Sequence, residues 1–277
     1  MIKKLKNGFK YIEIKNKIAS AKIALQGAHI YEYKCDGDKE ILWLSPTSYL
    51  ENGKAIRGGI PICWPRFGIL DKEMPAHGFT RTAAFELVCI NEINETTTEV
   101  ILRLKDTKES RVIWDYKFEL DIKFIISDTL SVKMISKNLD IKEFKITQAL
   151  HTYFAVSHID DVCINGLQDK VYIDTLIDKK LVQKGSIQID SECDRVYFDV
   201  NKELDLVDKE KKISIKAVGS ASAVVWNPWI EKGSSMAGMK VDAYKEFVCI
   251  ETANAFDDFR VIQAGEGHTL AVTLSVS

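Results

Sequence analysis

The chain has 277 residues, 46% hydrophobic and 28% charged, with a formal net charge of -2. That balance supplies a sizeable core and excludes both a disordered chain and a broad cationic face for nucleic acid, so an anion site must be made from a few placed cations. The N-terminal MIKKLKNGFKYIEIKN has lysines but no apolar run behind them, unlike a secretory signal, and no stretch approaches the roughly 18 apolar residues that span a bilayer, so the expectation is a cytoplasmic protein with no membrane partner.

In chain order, the first half-buried strand is YIEIKN (11–16), where apolar and polar residues alternate with period two. Residues 46–82 break the rhythm and hold Pro46, Pro61, Pro65 and Pro75 with Gly58, Gly59, Gly68 and Gly78, which reads as a long loop of functional type. Alternation returns in EVILRLK (99–105), KFELDIKFII (117–126) and LSVKMISKN (130–138), the last two joined by the turn residues Ser127-Asp128-Thr129. KISIKAV (212–218) and LAVTLSV (270–276) complete the set, with two further irregular stretches at 226–244 and 251–260. No segment sustains a 3.6-residue apolar period over three turns, and strands do not alternate with helices, which argues against a parallel nucleotide-binding sheet. The pattern predicts more than 40% strand, little helix, and one domain over 1–277 without repeats or linkers.

The six cysteines (35, 63, 89, 163, 193 and 249) form no CxxC pair, and several lie in apolar runs, so they read as reduced, buried thiols. The five histidines (29, 77, 151, 158 and 268) form no HxH or HxxxH pair. Neither set has metal-ligand spacing, and no dinucleotide or phosphate-loop fingerprint is present, so no metal and no cofactor is expected.

Six side chains carry candidate chemistry. Arg57 precedes Gly58-Gly59, glycines that would let backbone pass close to a ligand, and its guanidinium suits a phosphate or a row of hydroxyls. His77 and Arg81 in PAHGFTR could face one pocket if that loop is extended. His151, in TQALHTYFAV beside Tyr153 and Phe154, is a buried imidazole with a tunable proton affinity. Asp194, next to Arg195 in SECDRVYFD, is an acceptor for hydroxyls. Glu251 follows an apolar strand, where an ionised carboxylate is costly unless it is paired or holds a proton. Glu231 and Glu266 are weaker candidates, one beside Lys232 and the other in a turn-like AGEGH. Each also has a bland reading: a surface turn, a structural histidine, an ion pair, a strand-end carboxylate.

Taken together and in order, RGGIPICWPRFG, HGFTR, ALHTYF, ECDRVY, VVWNPW and VCIETANA resemble the aldose 1-epimerase (mutarotase) superfamily, and within it the hexose-6-phosphate branch. The resemblance implies a large antiparallel β-sandwich with one sugar site on its concave face. It implies His151 as general acid, Glu251 as general base on the opposite side of the sugar, Arg57 and Arg81 as substrate and phosphate ligands, Asp194 on a hydroxyl, and His77 beside the ring. One departure is Ala76, where such proteins often carry a polar residue before the HGF triplet. The substrate so implied is a sugar phosphate. Other readings stay open: an epimerase for unphosphorylated aldoses such as galactose, a non-catalytic sugar-binding sandwich, or a Cys–His hydrolase using Cys63 or Cys249.

Overall fold

A computed structural model describes residues 2–35, 39–68 and 74–277. Strand makes up 51% of it, and the fold is an all-β antiparallel sandwich. One eight-stranded sheet runs, in spatial order, Cys163–Asn165, Leu204–Val207, Lys212–Val218, Gly267–Val276, Thr129–Asn138, Phe118–Ile126, Thr97–Lys105 and Glu86–Asn94. A second runs Lys179–Val182, Val171–Asp174, Cys193–Phe198, Ser222–Asn227, Phe247–Asn254, Gln148–Leu150 and Ile62–Cys63, with Tyr153–Ala155 also paired to Phe247–Asn254. The ladders in both are antiparallel. A five-stranded sheet from Ile2–Lys4 to Lys39–Glu40 and a two-stranded one complete the fold.

The strands expected from alternation are present within a few residues. Thr129–Asn138 is the clearest: Leu130, Val132, Met134, Ser136 and Asn138 are all buried and the residues between them are not. Its pairing with Phe118–Ile126 starts at Leu130 opposite Ile126, and the Ser127 backbone N–H closes the turn on the Thr129 carbonyl at 3.0 Å.

The main core lies between the two large sheets. Phe118, Leu120, Ile122 and Phe124 reach it from one side, and Tyr197, Val225, Val248 and Ile250 from the other. The other face of the second sheet carries a separate cluster with Trp43, Cys63, Tyr153, Val224, Trp226, Phe247 and Cys249. Phe247–Asn254 is therefore covered on both faces, and all eight of its residues are buried. This corrects two expectations. Glu251 does not follow a strand but lies inside one, and the irregular stretch placed at 251–260 begins only after Asn254. The stretch at 226–244 contains a helix, Trp229–Ser235, too short to register as a helical period. Residues 69–73 of the first irregular stretch lie outside the described residues.

Candidate active site

Sheet register builds the floor of the site. Leu150 pairs with Thr252 and Tyr153 with Cys249, which brackets His151 opposite Glu251. Glu251 pairs with Val224, Val224 with Val196, Cys249 with Trp226, and Trp226 with Asp194. Directly paired residues share a sheet face, as do residues two apart. Glu251, Val224, Val196, Trp226 and Asp194 accordingly present to one side, where with His151 they line a cavity of about 520 Å³.

Loops supply the walls, and Arg57, His77 and Arg81 all reach the same cavity. The Arg57 backbone is fixed at both polar atoms: its N–H donates to Ser48 Oγ at 2.8 Å and its carbonyl accepts from Ser45 N–H at 3.0 Å. The following glycines serve a different purpose from the one expected. A Cβ on Gly59 would stand 2.3 Å from the Ile30 carbonyl oxygen, and one on Gly58 2.4 Å from that of Trp43. The close approach seen in the structure is to neighbouring backbone. Arg81 lies in a 3-10 turn, Thr80–Thr82, and not in extended loop; its guanidinium donates to the Ala76 carbonyl at 2.7 Å. Ala76 itself does not line the cavity. His77 adopts φ 64, a conformation that costs a non-glycine residue of order 1 kcal/mol. It is held by a backbone hydrogen bond to the Gly68 carbonyl at 3.0 Å.

His151 Nε2 lies 3.3 Å from Glu251 Oε1, so the two are in contact and not on opposite sides of the cavity. Their strands are adjacent and in register, which leaves no room for a sugar between them. The imidazole stacks on Tyr153 with ring centres 4.9 Å apart and meets His77 and Trp226 edge-on at 5.8 Å. His151 is 8% exposed and Glu251 2%. Nδ1 of His151 and Oε2 of Glu251 are buried without a hydrogen-bond partner among the described residues.

Burial dominates the proton affinities. It pushes the Glu251 carboxyl well above its usual range, with Asp194 adding to the rise and Arg81 opposing it. It holds His151 well below the usual imidazole value, helped by His77, Arg81 and Arg57. His77 falls to about 4 through burial and the two arginines. Burial raises Asp194 against the pull of Lys232. The free site therefore favours a neutral imidazole beside a protonated carboxyl. That is the other tautomer of the ion pair in which Glu251 is the base and His151 the acid.

Glu231 and Glu266 are exposed and line no part of the cavity, which removes them as bases for it. Cys63 and Cys249 do not line it either, and burial pushes the Cys63 thiol up to about 12 and that of Cys249 well above its usual value, the opposite of what a nucleophile needs. The sequence reading passed over Lys232, Thr175, Phe67, Met236 and Phe256, which also line the site. In sequence nothing separates Lys232 from the other lysines. Its place follows from the helix Trp229–Ser235, which carries it over the floor strands.

Residues 10–275 match the aldose 1-epimerase family. A protein of Escherichia coli K12 provisionally named glucose-6-phosphate 1-epimerase is 36% identical over 93% of this chain and 87% of its own length. The crystal structure of a protein from Salmonella typhimurium, provisionally described as a mutarotase, superposes with a TM-score of 0.92 at 32% identity, covering 100% of this chain and 92% of that one. A galactose mutarotase related enzyme from Lactobacillus acidophilus shares the fold, with a TM-score of 0.76 at 15% identity over 96% of this chain and 97% of its own.

Proposed function

The chain belongs to the aldose 1-epimerase family of isomerases, and we propose that it interconverts the α and β anomers of a hexose 6-phosphate, glucose 6-phosphate foremost. The observation that carries this reading is the buried His151–Glu251 contact on the floor of a cavity that also presents Arg57 and Arg81. The provisional name of the Escherichia coli relative supports the phosphorylated substrate.

Anomers exchange by opening the pyranose ring, turning about C1–C2 and closing on the other face. Opening removes a proton from O1 and delivers one to the ring oxygen. Both oxygens are bonded to C1, so an acid and a base in contact can serve them as a unit. Glu251 takes the O1 proton and His151 supplies the ring oxygen; on closure the roles reverse. The pair carries one proton, and the active arrangement needs it on His151. A phosphate dianion on Arg57 and Arg81 offsets the repulsion those cations exert on an imidazolium, which favours that arrangement when substrate is bound. Each positioned proton transfer contributes on the order of 10² to 10⁴ in rate. No hydride moves, so the reaction asks for no redox cofactor. Asp194 accepts from a ring hydroxyl and His77 borders the sugar beside His151.

The same reading takes 1–277 as one domain, since the main core draws on residues from Ile12 to Leu274. It places the protein in the cytoplasm, a setting that suits the buried thiols Cys63, Cys193 and Cys249. Among the described residues no helix is long and apolar enough to cross a membrane.

Anomer-resolved NMR exchange with glucose 6-phosphate and galactose side by side tests the function. Exchange of glucose 6-phosphate well above the galactose rate is expected. The reverse order would move the protein to the unphosphorylated aldoses, and binding without exchange of either would make it a sugar-binding sandwich.

A further inference from the structure

We propose that Lys232 is a specificity-determining residue, which with Asp194 grips a ring hydroxyl on the C3–C4 edge of the sugar; this rests on the function proposed above. Both side chains line the cavity. Lys232 Nζ stands 3.2 Å from Glu192 Oε1 and 3.9 Å from Asp194 Oδ2, with its ammonium 5.9 Å from the centre of the Trp226 ring. Glu192 does not line the cavity and acts as the tether. The separation from Asp194 is longer than a hydrogen bond. An oxygen placed ~2.8 Å from both atoms would subtend roughly a right angle, close to the geometry a hydroxyl uses when it accepts and donates at once. An ammonium only donates and a carboxylate only accepts, so the two together read one hydroxyl in both senses.

The register says which hydroxyl. Asp194 lies two strands across and two residues along from Glu251 on the same face, a Cα separation of roughly 12 Å from strand spacing and rise. A six-membered ring fits between those carboxyl groups. With C1 and the ring oxygen at His151 and Glu251, the far edge of the ring is C3–C4. The phosphate is carried on C6, which branches from C5 beside the ring oxygen, and so falls toward Arg57 and Arg81, whose charges act on His151. Lys232 is thus left to the hydroxyls and not to the phosphate. Its partly exposed pairing with Glu192 holds it in place without the desolvation of a buried pair.

The test is steady-state exchange by Lys232→Met, which keeps the aliphatic stem, and by Glu192→Gln, which loosens the tether. Substrates are glucose and glucose 6-phosphate with their 3-deoxy and 4-deoxy analogues. Lys232→Met should raise KM about tenfold on both parent sugars, the scale of one partly exposed charge-assisted hydrogen bond. The penalty should vanish on the one deoxy sugar that lacks the bridged hydroxyl, and Glu192→Gln should move KM in the same direction by less. An equal penalty on every deoxy sugar, no penalty on the parents, or a penalty confined to the phosphorylated sugars would each overturn the proposal, the last by making Lys232 a phosphate ligand. A wild-type protein that exchanges glucose but not glucose 6-phosphate would overturn the proposed function alone, because the free-sugar series would still decide Lys232.

Discussion

His151 and Glu251 are in contact, and burial pushes their proton affinities in opposite directions, toward a neutral imidazole and a protonated carboxyl. With the roles proposed above, losing either partner removes the acid or the base, so His151→Gln and Glu251→Gln should each lower kcat by on the order of 10² or more. The double variant should lose much less than the product, since groups acting as a unit are non-additive. Near-normal turnover in either single variant would exclude the pair. The rate should follow a bell against pH whose limbs belong to the pair. Its acid limb should lie below 6.5, because a second proton must charge an imidazole that burial, His77 and the arginines disfavour. A limb above that value would mean that the site opens to water before protonation. Glu251→Gln should not cost folding stability. A carboxyl whose pKa rises on folding gives its full stabilising share below 4.5 and loses it as pH rises, so at neutral pH the amide replaces a group the fold accommodates poorly. The arginines should separate by substrate. Arg57→Ala or Arg81→Ala should raise KM for glucose 6-phosphate far more than for glucose, since binding to a remote phosphate appears mainly in KM. Equal losses on both sugars would show that neither guanidinium meets the phosphate.

Among the elements, the strand Phe247–Asn254 explains both why the site exists and why it was hard to read. It is buried on both faces, so its sequence FVCIETAN has no alternation to mark its length. Ser222–Asn227 beside it is buried throughout for the same reason. Of the eight strands in the outer sheet, which has one face toward water, five were legible, together with the turn at Ser127–Thr129. The contrast lies in what the two faces of each strand meet, and the cavity floor falls on the strands that pattern describes least well. Resemblance singled out His151 and Glu251, which the fold brings into contact, because both sit in short runs of distinctive composition. It did not single out Lys232, whose helix of seven residues gives no period, nor the contact between His151 and Glu251, which depends on register. The turn at Gly59 has a packing reason that no sequence pattern carries. Gly59→Ala would set a Cβ at φ 64 against two backbone atoms, Ile30 O at 2.3 Å and Tyr31 Cα at 2.7 Å, neither of which can rotate away. A loss of about 2 kcal/mol or more is expected in denaturant midpoint, together with a raised KM from the displaced Arg57. A variant as stable as the parent would show that this turn yields and that Arg57 is held elsewhere.

Across the whole molecule the two large sheets are joined by polar side chains as well as by the apolar core. Trp64 Nε1 donates to Ser136 Oγ at 3.0 Å, Ser136 Oγ donates to Gln148 Oε1 at 3.4 Å, and Gln148 Nε2 donates to Asn254 Oδ1 at 2.9 Å. Gln148 and Asn254 are Cα partners on the strands that lead to His151 and carry Glu251, so these bonds tie the strands under the cavity to the sheet behind them. The histidines divide between the site and its supports. His29 is fully buried on the second side of the Arg57 turn, with Nε2 2.7 Å from the Gly58 carbonyl, to which it donates. Burial lowers its pKa from 6.5 to about 4, against the pull of the Gly58 carbonyl and with help from Arg81. His77 is lowered to about 4 as well. A histidine whose pKa falls on folding gives its full stabilising share above 6.5 and loses it as pH falls through the folded value. Stability should therefore decline between pH 6.5 and about 4, a window above the range in which the ion-paired carboxylates Glu99 and Glu119, both lowered from 4.5, take up protons. His29 alone should account for roughly 3 kcal/mol of that decline. Chemical denaturation at closely spaced pH values, comparing the parent with His29→Gln, isolates its share: the amide keeps a donor for Gly58 but cannot charge, so its curve should be flatter across the window by about that amount. Parallel curves would mean that His29 gains no proton on unfolding in this range, and that the acid sensitivity of the fold comes from elsewhere.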